Sequence, residues 1–491
     1  MKDPFPKTLA IAGVAIGVLA AWYYARQGLT LSHYDAKAHL VVARRVLDSL
    51  TPEYSQIGAV WLPLPHLLNL LPVQLDFFYR TGASGVAISV LSFGLACYAI
   101  ARIVLQVTGS RIGALAAVAL FAFDPDILYL QSTPMTEPLL FGLTLLSVSL
   151  VADWVAAGGE REPKAAGWTL VAACLTRYEA WFVTAALVAL AFVALLRRGL
   201  SLSKAMRYTA NLAAYPALAV VAFVLHSRFT IGEWFVTGGF FVTDPRTLGR
   251  PLASFLQVSY GIRQLVNDPL VAMSVAGVLF VAIRSLRRRE RSADLVVLAL
   301  TAFLVLPTYA FFEGHPFRMR YMIAPIVAVA VFCGIALGSL RPRWRTAAAM
   351  AMALLLVATL RPLNAAAPML LEAQWDKPNS IGRHAVTECL MRDYHHELIL
   401  ASMGSLAHYM QELSQEGIHI RDFVHEGNLP YWQEAIESPK GRVGWILIEE
   451  QAEGGDVLSK RERASSEFLT GFTKVCSGGG VTLYRAVPET Q

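Results

Sequence analysis

The chain has 491 residues, of which 55% are hydrophobic and only 16% are charged, and its formal net charge is +6. Soluble chains of this length carry charge on about a quarter of their residues, so the composition excludes an ordinary soluble globular protein. The basic residues lie in short loops between apolar runs, where they orient membrane spans, and this placement argues against a nucleic-acid partner.

Apolar runs over the first three quarters of the chain predict a polytopic α-helical membrane protein with about eleven transmembrane helices. Most runs have about 17 to 25 residues, the length that a helix needs to cross about 30 Å of hydrocarbon. The predicted spans are Leu9–Tyr24, Ala83–Val107, Gly113–Leu130, Leu139–Ala156, Ala166–Thr176, Tyr178–Leu196, Tyr208–Leu225, Leu270–Ile283, Leu295–Phe312, Tyr321–Leu337 and Ala347–Leu360. The charged residues Arg177 and Glu179 separate the fifth span from the sixth.

The remainder of the chain predicts a soluble C-terminal α/β domain, with domains at residues 1–362 and 363–491. Short apolar runs predict strands and amphipathic runs predict helices. The predicted strands are Leu398–Met403, Val443–Glu449 and Val481–Arg485, and the predicted helices are Ser405–Leu413 and Leu458–Phe468. Five histidines without metal-ligand spacing are predicted to lie on its surface, namely His395, His396, His408, His419 and His425. Cys389 and Cys476 allow a disulfide in an oxidising compartment.

The distribution of basic residues predicts the orientation of the chain. With about eleven spans and a cytoplasmic N-terminus, nearly every dense basic cluster falls on one side, as the positive-inside rule requires. The C-terminal domain is then extracytoplasmic.

Charged and aromatic residues cluster at the loops predicted to lie outside, and ionisable groups near membrane depth tend to be functional. The first loop contains Asp35, His39, Trp61 and His66, the second contains Asp124, Asp126 and Glu137, and later loops contain Arg177, Glu179, His315, Arg318 and Arg320. Carboxylates and arginines from several loops therefore converge on one face of the membrane.

These motifs resemble the GT-C membrane glycosyltransferases. The resemblance is carried by Asp35 and His39 after the first span, the Pro-rich segment Trp61–Pro65, the segment Thr136–Pro138 and the segment Arg318–Tyr321. It covers most of the chain to about residue 360, and the most similar patterns are those of protein O-mannosyltransferases and lipid A aminoarabinose transferases. Protein O-mannosyltransferases carry an acidic pair in the first loop, whereas here Ala36 follows Asp35. The acceptor, which is a lipid, a glycan or a protein, therefore stays open.

The resemblance implies an enzyme of the plasma (inner) membrane. Such an enzyme transfers a hexosyl or pentosyl group, with inversion, from a polyprenyl-phosphate sugar to an acceptor hydroxyl on the extracytoplasmic face. By family precedent Asp35 is the general base, since the acceptor must lose a proton. Two other interpretations stay open: Asp35 is a helix cap, or His39 is the base.

The other site residues are assigned by their chemistry. Arg318, Arg320, His315 and Arg177 are the candidates for the donor phosphate, because a guanidinium fork fits phosphate oxygens. Glu137, Glu179, Trp61 and His66 are the candidates for substrate contacts. Some family members use a divalent ion, for which Asp124 and Asp126 are candidates, although Asp-Pro-Asp is also typical of a turn.

A multispan transporter or a flippase for lipid-linked sugars is the alternative class. Transporters commonly show internal repeats with broken helices at matching positions, and this sequence shows no such repeat. The charged residues lie at the ends of the spans, which favours catalysis at the interface.

The orientation is directly testable. Accessibility tags at Arg198, Arg289 and Arg343 should report from the cytoplasm, and tags at Gly249 and Gln491 from outside, because basic loops are retained inside. A Gln491 tag reached only from the cytoplasm would contradict the proposed face of catalysis.

Overall fold

The structure is a computed structural model that describes residues 3–236, 241–359, 361–465 and 467–487. Within the described residues, the regular elements of the membrane part are all helical. Its helices are α1 (Phe5–Arg26), α2 (Tyr34–Arg44), α3 (Leu64–Asn69), α4 (Asp76–Thr81), α5 (Ala83–Thr108), α6 (Arg111–Ala122), α7 (Pro125–Leu130), α8 (Glu137–Ala156), α9 (Lys164–Cys174), α10 (Glu179–Arg197), α11 (Leu202–Ile231), α12 (Pro251–Leu265), α13 (Asp268–Arg287), α14 (Val305–Phe312), α15 (Ile323–Ser339) and α16 (Pro342–Thr359). Short 3-10 segments cover Tyr54–Ile57, Pro72–Gln74 and Met319–Met322, and a 16-residue 3-10 segment, Arg289–Leu304, leads into α14.

Eight helices among the described residues are long and apolar enough to cross a membrane. The chain is an integral membrane protein. The predicted spans coincide with helical segments, although Leu295–Phe312 is 3-10 helix as far as Leu304. The last predicted span ends at Leu360, which lies outside the described residues, and the count of about eleven stays a prediction. The prediction of one helix over Gly113–Leu130 is wrong, because α6 ends at Ala122 and Asp124 caps a separate α7.

Close helix contacts depend on small side chains. Gly113 of α6 faces Gly334 of α15, where an added Cβ would lie 2.7 Å from the Gly334 carbonyl oxygen. Small residues let helix backbones approach closely within a membrane, where apolar burial alone gives little drive for association. These contacts hold the spans at fixed positions, and so they also fix where the loops between the spans begin and end.

The C-terminal domain contains one five-stranded sheet with helices around it. Its elements are α17 (Pro368–Ala373), α18 (Lys377–Asp393), β1 (Ile399–Ala401), α19 (Met403–Leu413), β2 (Phe423–Val424), α20 (Tyr431–Glu437), β3 (Trp445–Glu449), α21 (Val457–Ala464), β4 (Phe472–Gly478) and β5 (Val481–Ala486). The strand order is β2-β1-β3-β5-β4, with β1 parallel to β2 and β3, and with β5 antiparallel to β3 and β4. Gly479 and Gly480, both at positive φ, form the tight turn between β4 and β5.

The predicted α/β class is therefore confirmed, with differences in detail. The sequence patterns missed β2, which has only two residues, and β4, whose side chains are mostly exposed or half-buried. The helix predicted over Leu458–Phe468 ends earlier, at Ala464. The surface prediction is wrong for His425, which is fully buried, and for His408, whose side chain is 14% exposed. Cys389 and Cys476 are both free thiols.

The C-terminal domain packs against α2 and the rest of the first loop. Ala38, Leu40 and Val41 of α2 share one apolar core with residues of the sheet and of α19. Lys37 forms an ion pair with Glu412 at 2.6 Å, and the side chain of Glu412 also accepts from the buried Arg383. The helix that begins next to Asp35 is therefore held between the membrane helices and the C-terminal domain.

Glu412 should make the stability of the chain depend on pH. Burial opposes ionisation of Glu412, but the Arg383 hydrogen bond and the Lys37 charge outweigh it and lower its pKa from 4.5 to about 2. The stabilisation is then present above pH 4.5 and is lost as the pH falls toward 2. Glu412→Gln should destabilise the chain by about 3 kcal/mol at neutral pH, because Arg383 loses a charged partner.

The measurement is thermal unfolding of the full chain in detergent at pH 7, 4.5 and 3. The gap between wild type and Glu412→Gln should shrink below pH 4.5. Glu388→Gln, at an exposed position of α18, is the control. A gap that does not change with pH would contradict the assigned role of the charge.

Candidate active site

An ion pair between Asp35 and Arg320 lies at the centre of the candidate site. Asp35 is in the first turn of α2, and Arg320 is in the 3-10 turn that leads into α15. The Arg320 Nη1 donates to Asp35 Oδ2, and both side chains are largely buried. Burial opposes the charge on Asp35, but the facing Arg320 guanidinium dominates and holds the pKa of that carboxyl well below its ordinary value.

Asp35 is not the cap of α2. The N-cap is His33, whose Nδ1 accepts the backbone N–H of Asp35 at 3.1 Å. The Asp35 carboxylate is instead directed at Arg320. The interpretation of Asp35 as a capping residue is therefore wrong, because His33 is the residue that caps α2.

Glu137 links Arg320 to a second arginine. Its carboxylate lies 3.5 Å from Arg320 Nε and 2.9 Å from Arg177 Nη1, and its side chain is 2% exposed. Arg177 also pairs with Glu179 at 2.8 Å and donates to the Thr136 hydroxyl at 3.0 Å. We call Asp35, Glu137, Arg177, Glu179 and Arg320 the charge cluster. It places two guanidinium groups on either side of one buried carboxylate.

Two histidines form a directed hydrogen-bond chain beside Asp35. His66 Nδ1 lies 3.1 Å from the Leu62 carbonyl oxygen, which can only accept, so this nitrogen carries the proton. His66 Nε2 then accepts from His39 Nδ1 at 3.1 Å, which leaves a lone pair on His39 Nε2. Burial holds the pKa of His39 well below its usual value and that of His66 at about 3, so both rings are neutral. The Trp61 ring packs on His39 with centroids 4.1 Å apart.

Two of the predicted phosphate ligands lie outside the charge cluster. Arg318 forms an ion pair with Glu453 of the C-terminal domain, and its guanidinium lies over the Trp375 ring at 5.2 Å. His315 stacks on Phe241 with ring centroids 3.8 Å apart. Arg318 therefore connects the rim of the site to the C-terminal domain, whereas Arg320 and Arg177 lie within the site.

Asp124 and Asp126 do not fit a metal site. Asp124 Oδ1 accepts the backbone N–H groups of Asp126 and Ile127, both at 3.0 Å, and so caps α7. Asp126 Oδ1 accepts the N–H of Met369 at 2.7 Å. Within the described parts of the chain, no three His, Cys, Asp or Glu side chains are grouped so as to hold a metal ion. Both carboxylates instead satisfy backbone donors.

The sequence patterns missed Glu372, which contacts the backbone of the site. Its carboxylate accepts the N–H of Met319 at 2.6 Å and that of Arg320 at 3.4 Å, and it is 5% exposed. The signal that could have found it is an acidic residue within the apolar segment Pro368–Ala373, at the start of the C-terminal domain.

An apolar groove of about 510 Å³ runs between α9, α11 and the first loop. One end lies near the charge cluster, because the Leu175 carbonyl accepts the N–H of Leu64 at 2.9 Å and Arg177 follows two residues later. The lining residues are Tyr54, Pro63, Leu67, Trp168, Val171, Leu175, Ala214, Tyr215, Leu218, Ala219, Ala222, Phe223 and His226.

Solved structures of two membrane proteins have a similar fold, while no protein-family model and no curated protein matches the sequence. ArnT from Cupriavidus metallidurans, bound to undecaprenyl phosphate, superposes with a TM-score of 0.56 at 12% identity, over 98% of each chain. The oligosaccharyltransferase AglB from Archaeoglobus fulgidus, in complex with an inhibitory peptide and a dolichol-phosphate, superposes with a TM-score of 0.51 at 13% identity. That match covers 100% of this chain and 75% of AglB.

At this level of identity the two likenesses establish the fold. They agree with the motifs in the first loop and at the span ends, which resemble the same class of protein. The chain therefore has the GT-C fold, completed by a small α/β domain at its C-terminus.

Proposed function

We propose that this protein is a membrane glycosyltransferase that transfers a sugar from a polyprenyl-phosphate donor to an acceptor hydroxyl on the extracytoplasmic face of the plasma membrane. The observation that carries the proposal is the charge cluster: two largely buried arginines beside an acidic first-loop residue, at the ends of membrane spans. The undecaprenyl phosphate bound to ArnT and the dolichol-phosphate bound to AglB support a lipid-phosphate donor. The sugar, hexosyl or pentosyl, and the acceptor stay open.

Arg320 and Arg177 would bind the donor phosphate. Each guanidinium offers paired N–H donors that match phosphate oxygens, and Glu137 keeps the two groups close together. The cluster carries three carboxylates against two arginines, so a phosphate would bind only by taking the place of a carboxylate partner. Asp35 is the partner that Arg320 would exchange, because Glu137 lies on the other side of the guanidinium.

This exchange would couple donor binding to activation of the base. While Arg320 faces Asp35, the carboxylate has a low pKa and is a weak base. When the phosphate replaces Asp35 as the partner of Arg320, the pKa of Asp35 rises toward its ordinary value. The carboxylate is then a stronger base and better suited to proton abstraction. The base would then be formed only when the donor is present.

The chemical step is a displacement at the anomeric carbon. Asp35 takes the proton of the acceptor hydroxyl while the hydroxyl oxygen bonds to the anomeric carbon from the face opposite the phosphate. The bond between that carbon and the phosphate oxygen breaks, and its electron pair leaves with the polyprenyl phosphate, which the arginines stabilise. The sugar configuration is inverted. His39, one helical turn after Asp35, is the alternative base, because its Nε2 keeps a lone pair while its Nδ1 bonds to His66.

The polyprenyl chain of the donor would occupy the apolar groove. The groove lies along the span α11, so its surroundings in a membrane are hydrocarbon, and one end lies close to Arg177. A chain in this position would leave its phosphate at the charge cluster without crossing polar surface.

Arg320→Lys should weaken donor use while keeping the fold. A lysine keeps one positive charge beside Asp35 and Glu137 but lacks the planar fork, so we expect the donor KM to rise about tenfold. Arg320→Ala should do more damage and also lower stability by about 3 kcal/mol or more, since two buried carboxylates lose a partner.

The assay is sugar transfer by purified protein in liposomes, at varied donor concentration. Arg246→Ala, whose side chain is 79% exposed in an ion pair with Asp244, is the matched control. If the Arg320→Lys protein has the wild-type donor KM, Arg320 does not bind the donor phosphate and its role is structural.

Asp35→Asn should abolish transfer but not donor binding. The amide keeps the size of the carboxylate and loses its basicity, and loss of a general base lowers kcat by about a hundredfold to ten thousandfold. Donor affinity should be unchanged or higher, because Arg320 no longer faces a full negative charge.

His39→Ala separates the two candidate bases. If folded Asp35→Asn protein binds donor and transfers sugar at nearly the wild-type rate while His39→Ala does not, the base is His39. If both variants are active, the first-loop site is wrong.

A further inference from the structure

We propose that Glu372, from the segment assigned to the C-terminal domain, is a positioning residue for Arg320. The inference rests on the proposed function only for the identity of the ligand that Arg320 binds. It assigns the start of the C-terminal domain a part in the donor site, which the sequence motifs did not indicate.

Glu372 contacts the backbone of the turn that contains Arg320. The 3-10 turn Met319–Met322 begins without a side-chain cap from its own N-cap residue, Arg318. The two carboxylate oxygens of Glu372 accept the first two N–H groups of this turn, at 2.6 Å from Met319 and 3.4 Å from Arg320. Free N–H groups at the start of a helical turn favour a negatively charged acceptor. Glu372 thus caps this turn from a distant part of the chain.

The helix that carries Glu372 is itself held in the membrane domain. Asp126 accepts the N–H of Met369 at 2.7 Å, and both residues are almost completely buried. Met369, Leu370 and Ala373 belong to the apolar core of the membrane helices. The short helix α17 is therefore anchored on both sides, at Asp126 and at the turn that carries Arg320. Asp126, a candidate metal ligand by sequence, supports the site through this helix instead.

This anchoring matters because phosphate recognition by an arginine fork depends on geometry. A displacement of about 1 Å in a positioned group can cost on the order of a hundredfold in rate. Side-chain contacts with Asp35 and Glu137 hold the guanidinium of Arg320, and Glu372 holds its main chain. If phosphate replaces Asp35, the hold on the main chain persists. Glu372 would then keep Arg320 in place during the exchange of partners.

Two variants distinguish positioning from chemistry. Glu372→Ala removes both acceptors, and the dissociation constant for undecaprenyl phosphate should rise about tenfold, as expected when a buried charged acceptor is lost. Glu372→Gln keeps one acceptor oxygen for the short bond to Met319, and we expect binding within about threefold of wild type. If the negative charge of Glu372, rather than its position as an acceptor, were needed, the Gln protein would bind as weakly as the Ala protein.

The experiment combines two measurements on the full chain in nanodiscs, with Glu388→Ala at an exposed position of α18 as the control. Hydrogen exchange reads the amides of Met319 and Arg320 without any donor, and titration with undecaprenyl phosphate reads binding. The expected result is faster exchange at these amides and weaker binding in Glu372→Ala, with both largely restored in Glu372→Gln. If the Ala protein does not fold, Glu372→Asp, whose shorter side chain cannot reach both amides, takes its place.

Two outcomes overturn the inference. One is unchanged exchange and unchanged binding in Glu372→Ala, and the other is a Gln protein that is as impaired as the Ala protein. Failure of the proposed function has a different signature. The amides would respond to Glu372→Ala as expected, yet the wild-type protein would not bind undecaprenyl phosphate, which would remove the phosphate role and leave only the structural contact.

Discussion

The ion pair between Asp35 and Arg320 joins residues that are 285 positions apart in the chain. Buried charges are costly unless each has a partner, so the first loop and the entry to α15 must meet with good geometry for the fold to be stable. Glu137 and Arg177 extend the pair into a cluster to which four separate segments contribute. The cluster is the point at which the ends of the spans are tied together. It also contains a carboxylate and two arginines, the groups that transfer of a sugar from a polyprenyl phosphate would need.

The C-terminal domain contributes to this arrangement from the other side. Lys37 of α2 pairs with Glu412, and Arg318 pairs with Glu453, so the segments that carry Asp35 and Arg320 each have a contact in the soluble domain. The apolar face of α2 is buried in the core of that domain. Movement of the domain would therefore move the helix that carries Asp35 and His39. This gives a physical reason for a domain that contributes no recognisable motif of its own.

Local patterns predicted most of the fold, because apolar runs and charge placement are properties of neighbouring residues. They identified the helices, the α/β class of the last domain and Asp35, His39, Glu137, Arg177, Glu179 and Arg320 as candidates, all of which meet in one region. They did not separate Arg318 from Arg320, because the two differ in which distant carboxylate each faces. Glu372 was missed for the same reason, since its role depends on a contact with a turn about fifty residues earlier. The break at Asp124 was predictable as a turn, yet the apolar run around it favoured one helix.

The central claim is that Arg320 and Arg177 bind the phosphate of a polyprenyl-linked donor. A polyprenyl phosphate analogue with a photoreactive diazirine beside the phosphate tests it most directly, with the protein in liposomes and the cross-linked peptides identified by mass spectrometry. The account predicts labelling of the peptides that contain Arg177 and Arg320, suppressed by an excess of unmodified polyprenyl phosphate. Labelling confined to other peptides, or labelling at these two that the competitor does not suppress, would contradict it.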